Sequence, residues 1–317
     1  MNPVVAVDLG GTKTAAALVD GDGSLGEVHQ VATPSGSGPD AVLDTVARLI
    51  CSVLEHTGVC DVAGVGIGTA GVVDGDGRIL SATDTFASWV GTDVVEGVRS
   101  RVGKGSHLPV TVLNDVDAHA LGELWLGAAR GAGCMVMVAV GTGVGGAVVM
   151  NGQLWRGSHH VAGEIGHIPA SGAEGMRCPC GRDGHLEALA AGPAISRRYG
   201  ELSGTHVTAA EVARLADAGE PMACAVLTAA AEGLGKAIAG IVTTIDPECV
   251  VLGGGVAAAG PSWWQPLLAA YRAELVDALD GVPLLSAELG SSAPLIGAAW
   301  AAFAAAGFNP NEIEEGT

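Results

Sequence analysis

The chain has 317 residues, 49% hydrophobic and only 3% aromatic, and a formal net charge of −19. That length suits one large domain or two of ordinary size, and the shortage of rings leaves Ala, Val and Gly to fill the interior. Such acidity argues against a nucleic-acid partner, which needs Lys and Arg to neutralise phosphates, but backbone N–H groups and a metal ion still suffice for a nucleotide.

The N-terminus lacks a basic leader segment, so no signal peptide is expected, and residues 3–8 read directly as a strand. Gly10-Gly11-Thr12 follow, then a second apolar run, Ala15 to Val19, and the turn pair Asp20-Gly21. Val42, Val46, Leu49, Ile50 and Val53 recur with helical period and predict a helix over about 39–57. Strands are predicted at 62–68 and 110–113, the second ending at Asn114-Asp115, with a helix over about 116–129 after it. Residues 134–150 repeat the opening plan: strand CMVMVAV, turn GTGVGG, strand AVVM, then the turn pair Asn151-Gly152. Two strand–glycine-turn–strand units read as a duplicated fold. The run 135–150 is the longest apolar one, but glycines at 141, 143, 145 and 146 break it, and no membrane span is expected. Helices over about 208–218, 222–244, 264–280 and 294–306 enclose a strand at 248–256, so strands alternate with helices in an α/β architecture with mixed sheets. Seven cysteines, only Cys178 and Cys180 closely spaced, form no disulfide framework and fit a reducing cytoplasm.

A phosphate needs donors that approach without side chains in the way, and glycine turns supply them. The segment DLGGTKT (8–14) offers the N–H groups of Gly10, Gly11 and Thr12, the Thr12 hydroxyl and the neighbouring Lys13, with Asp8 placed to bind Mg²⁺ through water. Gly141, Thr142 and Gly143 offer the same in the second unit, and Gly254 and Gly255 would let an adenine or ribose lie flat on backbone. Each cluster is also readable as an ordinary tight turn, and none has Rossmann or Walker spacing. Three in this order, each after a hydrophobic strand, point to nucleotide binding. The combination resembles the actin-like ATPase superfamily, which implies a duplicated actin-like (ribonuclease H-like) α/β fold of two domains with a cleft between them for ATP.

Phosphoryl transfer to an alcohol needs a carboxylate to accept the hydroxyl proton. Asp115, at the end of an apolar strand, is the candidate base, and Asn114 beside it is placed to bind another hydroxyl. The alternative is that Asp115 only caps the following helix. Farther on, His167, Cys178, Cys180 and His185 have the donor set and spacing of a closed, structural Zn²⁺ site; the alternative is a surface histidine and buried thiols. Glu164 and Glu187 bracket that cluster and would accept hydrogen bonds from sugar hydroxyls.

The DLGGTK start, the GTGVGG turn, the ExGH of Glu164–His167 and the CxCGxxGxxE of Cys178–Glu187 together resemble the ROK family of sugar kinases and repressors, over nearly the whole chain. The resemblance implies Asp115 as general base, sugar contacts from Asn114, Glu164, His167 and Glu187, and the backbone of Gly71 against the sugar ring. It also implies a smaller domain of residues 1–116, rejoined by a C-terminal helix at about 295–310, a larger domain of 117–294, and a homodimer or homotetramer. Two positions depart from the family pattern: His185 stands where a third cysteine is usual, and Asp84 or Thr85, in ATDTFASW, replaces an asparagine amide that reads sugar hydroxyls. The family's repressors carry an N-terminal helix-turn-helix, for which the strand starting near residue 3 leaves no room. The expectation is thus a cytoplasmic, Mg·ATP-dependent hexose kinase acting on the 6-hydroxyl of glucose or a relative. The alternatives are an amino-sugar kinase (kanosamine, glucosamine or N-acetylmannosamine) and a non-catalytic sugar sensor.

Overall fold

A computed structural model describes residues 2–59, 61–83, 85–102 and 108–308. The strands are β1 (Val4–Leu9), β2 (Lys13–Val19), β3 (His29–Ala32), β4 (Gly64–Thr69), β5 (Val72–Val73), β6 (Ile79–Ser81), β7 (Val110–Asn114), β8 (Cys134–Val140), β9 (Val144–Met150), β10 (Gln153–Leu154), β11 (Cys249–Gly253) and β12 (Leu284–Ser286). The helices are α1 (Pro39–Thr57), α2 (Val94–Val102), α3 (Asp115–Leu126), α4 (Glu187–Ala190), α5 (Gly192–Ser203), α6 (Ala209–Asp217), α7 (Pro221–Ile245), α8 (Pro261–Glu274) and α9 (Ala293–Ala305). They form two compact units, one of Met1–Gly131, Leu154–Ala162 and Glu288–Thr317, the other of Ala132–Gln153 and Gly163–Ala287.

In the first unit the sheet order is β3-β2-β1-β4-β7. β1 and β2 form an antiparallel hairpin, and β4 and β7 add in parallel. β1 is apolar at nearly every position because helices cover both of its faces. Val5 and Val7 pack with Val42, Val46, Ile50 and Val53 of α1, whereas Val4 and Ala6 meet Leu295, Ala298 and Phe303 of α9. The small residues of α9 let it approach closely: a Cβ on Gly66 of β4 would collide with the Ala298 carbonyl. α3 packs chiefly on α9. The first stretch of this unit therefore runs to Gly131, beyond the boundary at 116 that the sequence suggests.

The second unit repeats the plan in the order β10-β9-β8-β11-β12, with an antiparallel β8/β9 hairpin and β11 and β12 added in parallel. Val136, Val138, Val250 and Leu252 bury against Ile195, Leu227, Leu234, Ile238 and Trp263 of the helical layer. Among the described residues α7 is the one helix long and apolar enough to cross a membrane; here it is the central core helix, with Val226, Leu227, Leu234 and Ile238 buried. The strand-for-strand repeat is the duplicated α/β arrangement of the actin-like ATPase fold.

Asn151 (φ 54°) and Gly152 (φ 70°) form the two-residue hairpin turn expected of them, both in the left-handed region. The earlier turn is longer than Asp20-Gly21 suggests: Gly23 N–H donates to the Asp20 carbonyl at 2.9 Å and Asp20 N–H to that of Ser24 at 3.1 Å. Gly23, not Gly21, holds the positive φ.

Candidate active site

In the first unit, strand register assembles an edge. Asp8 lies beside Gly68, and Thr69 lies between Leu9 and Asn114. Three parallel strand ends thus carry Asp8, the 10–13 turn and Asn114-Asp115 to the C-terminal side of the sheet, where open α/β sheets bind ligands. Burial raises the Asp8 carboxyl above its ordinary range, and the charge of Lys13 opposes this in part. A cation at this carboxylate would offset the same desolvation.

The Gly10 N–H closes its own turn on the Lys13 carbonyl at 3.1 Å, so of the three amides expected to bind phosphate only those of Gly11 and Thr12 remain candidates. A Cβ on Gly11 would lie 2.7 Å from Cγ2 of Thr85, which places Thr85 directly against the glycine turn. The Thr85 hydroxyl pairs with that of Thr83 at 3.1 Å. Asp84 lies outside the described residues.

The helix cap considered for Asp115 belongs to Asn114. The Asn114 Oδ1 accepts from Val116 N at 2.8 Å and Asp117 N at 3.4 Å, while its Nδ2 donates to the Gly71 carbonyl at 3.0 Å. Asn114 therefore ties the Gly71 loop to the start of α3, and one Nδ2 hydrogen is left for another acceptor. Asp115 is the first residue of α3 and exposed. Its Oδ1 accepts from the Val116 N–H at 2.9 Å.

In the second unit the Gly141 N–H likewise closes the turn, on the Gly143 carbonyl at 2.9 Å, so Thr142 and Gly143 remain the candidate donors there. Val144 N–H donates to Glu187 Oε2 at 2.9 Å in a buried bond. A Cβ on Gly143 would lie 2.6 Å from that oxygen, so only glycine admits the carboxylate there. Gly254 (φ 88°) sits so close to β8 that a Cβ would strike the Val140 carbonyl, and Gly253 is registered with Ala139. The edges of β8 and β11 thus join the Gly141–Gly143 turn to Gly254-Gly255.

The knuckle is built by backbone. Cys178 N–H donates to Arg182 and Gly181 N–H to Cys178, at 2.8 and 2.9 Å, while a bridge between Pro169 and His185 pulls in the preceding strand-like segment. Cys178 Sγ is 3.7 Å from His167 Nδ1 and Cys180 Sγ is 3.2 Å from His185 Nδ1. All four donor atoms lie within 4.8 Å of one another; a tetrahedral zinc would hold them about 3.3–3.8 Å apart. Burial pushes the Cys178 thiol up to about 11, so a cation bound there must displace its proton. With Nδ1 turned to the knuckle, His167 has its Nε2 3.7 Å from Glu164 Oε2, an ion-pair distance too long for a hydrogen bond. Desolvation raises the Glu164 carboxyl, with His167 opposing and Glu187 adding to the rise. Glu187 Oε1 lies 3.9 Å from Cys178 Sγ. One buried carboxylate therefore bridges the glycine turn and the knuckle.

Two residues escape sequence reasoning. The Thr69 hydroxyl, in a fully buried residue between Leu9 and Asn114, has no hydrogen-bond partner among the described residues. Glu123, fully buried, accepts from the backbone N–H groups of Ala128, Glu288 and Leu289 at 2.9, 3.1 and 2.9 Å and anchors the segment that leads into α9. A lone Glu in the apolar stretch ALGELWL was the available signal, because buried carboxylates require such partners.

The ROK family profile matches residues 4–305. A glucokinase of Halalkalibacterium halodurans is 33% identical over 314 residues, covering 93% of each chain. A ROK hexokinase structure from Thermus thermophilus has a TM-score of 0.85 at 36% identity, covering 95% of this chain and 98% of that one. A ROK family glucokinase from Streptomyces griseus, solved in complex with glucose and AMPPNP, has a TM-score of 0.77 at 31% identity over 94% and 98%.

Proposed function

The chain belongs to the ROK family, and on that premise we propose that it is a sugar kinase that transfers the γ-phosphoryl group of ATP to the 6-hydroxyl of glucose or a related hexose. The observation that carries this reading is the gathering of Asp8, the 10–13 turn and Asn114-Asp115 at one sheet edge, in a chain similar over its length to a glucokinase. The sugar oxygen bonds to the γ-phosphorus, the bond to the leaving ADP oxygen breaks, and Asp115 takes the hydroxyl proton. Asp8 is the residue that would hold Mg²⁺, which supplies charge neutralisation at the phosphates. The amides of Gly11, Thr12, Thr142 and Gly143 bind phosphate oxygens, and Gly254-Gly255 takes the nucleoside. Asn114, Gly71 and Thr85 of the first unit and Glu164, His167 and Glu187 of the second are the candidate sugar contacts.

His167, Cys178, Cys180 and His185 would hold Zn²⁺, whose role is structural because four protein donors leave no open position. Their convergence within 4.8 Å supports this, and imidazole is an acceptable donor at His185. The protein works in the cytoplasm as a homodimer or homotetramer; none of the six described cysteines forms a disulfide. A coupled ADP-release screen over glucose, mannose, fructose, allose, N-acetylmannosamine, glucosamine and kanosamine tests the activity, and an absence of sugar-dependent ADP release overturns it.

A second reading rests on Asp84, which stands where the family pattern has an amide. An ionised carboxylate only accepts hydrogen bonds and gains most from a charged donor, such as the ammonium of an amino sugar. Preference for a 2-amino or 3-amino analogue in wild type that reverts to glucose in Asp84→Asn supports this reading. Equal preference for glucose in both proteins removes it.

A further inference from the structure

A second group of donors lies away from the residues discussed so far, wholly in the first unit. Glu27 precedes β3, His29 opens β3, and His56 lies in the last turn of α1. One carboxylate oxygen and one ring nitrogen from each histidine all lie within 4.8 Å of one another. His56 Nε2 is 3.3 Å from Glu27 Oε2, and the two imidazoles meet edge-on with centroids 5.0 Å apart. His29 Nε2 is buried and has no hydrogen-bond partner among the described residues. Buried ring nitrogens are normally partnered, and a metal ion is a partner that two imidazoles and a carboxylate are suited to share.

We propose that Glu27, His29 and His56 form a metal site distinct from the knuckle, which takes a borderline divalent transition cation such as Zn²⁺ or Ni²⁺. Two nitrogens and one oxygen select this class over Mg²⁺ and Ca²⁺, which prefer all-oxygen shells. Three protein ligands leave positions for water, and Glu27 and His56 are exposed, so the ion exchanges with solvent and the site fills after a closed four-donor site. The strongly acidic chain favours cation capture at its surface. Once bound, the ion fastens the edge strand β3 to the C-terminal end of α1.

The site is independent of the kinase reading, and its test does not use turnover. Tag-free full-length protein is dialysed against Zn²⁺ and its bound metal counted, beside His56→Ala and Glu27→Gln. Wild type should hold one more zinc per chain than His56→Ala, and Glu27→Gln should bind that extra ion at least tenfold more weakly. This difference stands whether or not the knuckle is filled. As a second readout, added Zn²⁺ should raise Tm in a Cys178→Ser background and fail to do so when His56→Ala is added. Glu27 and His56 are both exposed, so neither of their substitutions removes core packing. Equal zinc content in wild type and His56→Ala, or an unchanged Tm response in the double variant, overturns the proposal, leaving Glu27–His56 an ordinary surface ion pair.

Discussion

Glu187 offers the sharpest test because two jobs fall on one carboxylate. Its Oε2 accepts the buried Val144 N–H at 2.9 Å, and its other oxygen is directed to the knuckle and, under the proposed function, to a sugar hydroxyl. Glu187→Gln keeps an amide oxygen that can accept from Val144 while removing the charge. Its cost to the fold should be small, about 1 kcal/mol or less, the difference between a charge-assisted and a neutral hydrogen bond. The loss at the sugar should be about 1.5–3 kcal/mol, or roughly tenfold to a hundredfold in kcat/KM for sugar. KM for ATP should stay within about threefold, because the Gly141–Gly143 turn keeps its support. Glu187→Ala removes both jobs and leaves the Val144 N–H unsatisfied, which costs about 1–3 kcal/mol more. It should therefore lower Tm and raise KM for ATP. Steady-state kinetics with each substrate varied, together with thermal melts, separate the two variants. Glu187→Gln with wild-type sugar kinetics would refute the sugar role; Glu187→Ala with wild-type Tm would refute the bridging role.

Asp115→Asn should lower kcat by about 10²–10⁴-fold, the range for general-base catalysis, with sugar affinity measured by calorimetry changed far less; near-normal turnover removes Asp115 from the mechanism. Metal analysis should find zinc bound to the knuckle in wild type, and Cys178→Ser should lose that ion together with sugar binding, since the loop that carries Glu164, His167 and Glu187 is then unsupported. Full sugar affinity without that zinc contradicts the structural role. Burial raises the folded-state pKa of Asp8 above its unfolded value, so the ionised carboxylate costs stability near pH 7, and that cost vanishes below the unfolded value, where the group is protonated in both states. Asp8→Asn should therefore raise Tm at pH 7, have less effect near pH 4, and impair Mg·ATP-dependent turnover. A lower Tm at pH 7 would show that desolvation does not govern Asp8.

Periodicity located most of the long elements, because they bury a stripe or both faces, but α5 lies outside the predicted helices and α8 runs Pro261–Glu274 where about 264–280 was expected. The helix over 39–57 has the bounds expected of it, and β8 spans Cys134–Val140 as read from CMVMVAV. The short strand β12, of three residues without alternation, carried no such signal; it exists because β11 offers it a parallel edge. At the site, residue type was legible and hydrogen-bond assignment was not. Asn and Asp both cap helices, and nothing in the dipeptide says that Asn114 takes the cap and Asp115 does not. The same holds for the glycine turns. Sequence marks Gly10 and Gly141 as donors, but closing a tight hairpin uses up the first N–H of each. Glu123 is the clearest case of tertiary control, since its partners Glu288 and Leu289 are remote in sequence.

The two sheets share one plan but differ chemically where their turns begin. Register aligns Asp8 with Gly68 in the first unit and Ala139 with Gly253 in the second, so Ala139 occupies the position that Asp8 holds. The first turn connects the pair Leu9 and Thr14, the second the pair Val140 and Val144, a loop shorter by one residue. In both, the N–H of the leading glycine closes the hairpin. The repeat therefore preserves the backbone device, which any phosphate can use, while the carboxylates Asp8 and Asp115 occur in the first unit alone. That division has a physical reason under the proposed function. Two carboxylates suffice for one cation and one proton, and further negative charge beside a triphosphate would repel it. In the second unit a carboxylate instead braces the turn, with Glu187 Oε2 accepting from the Val144 N–H.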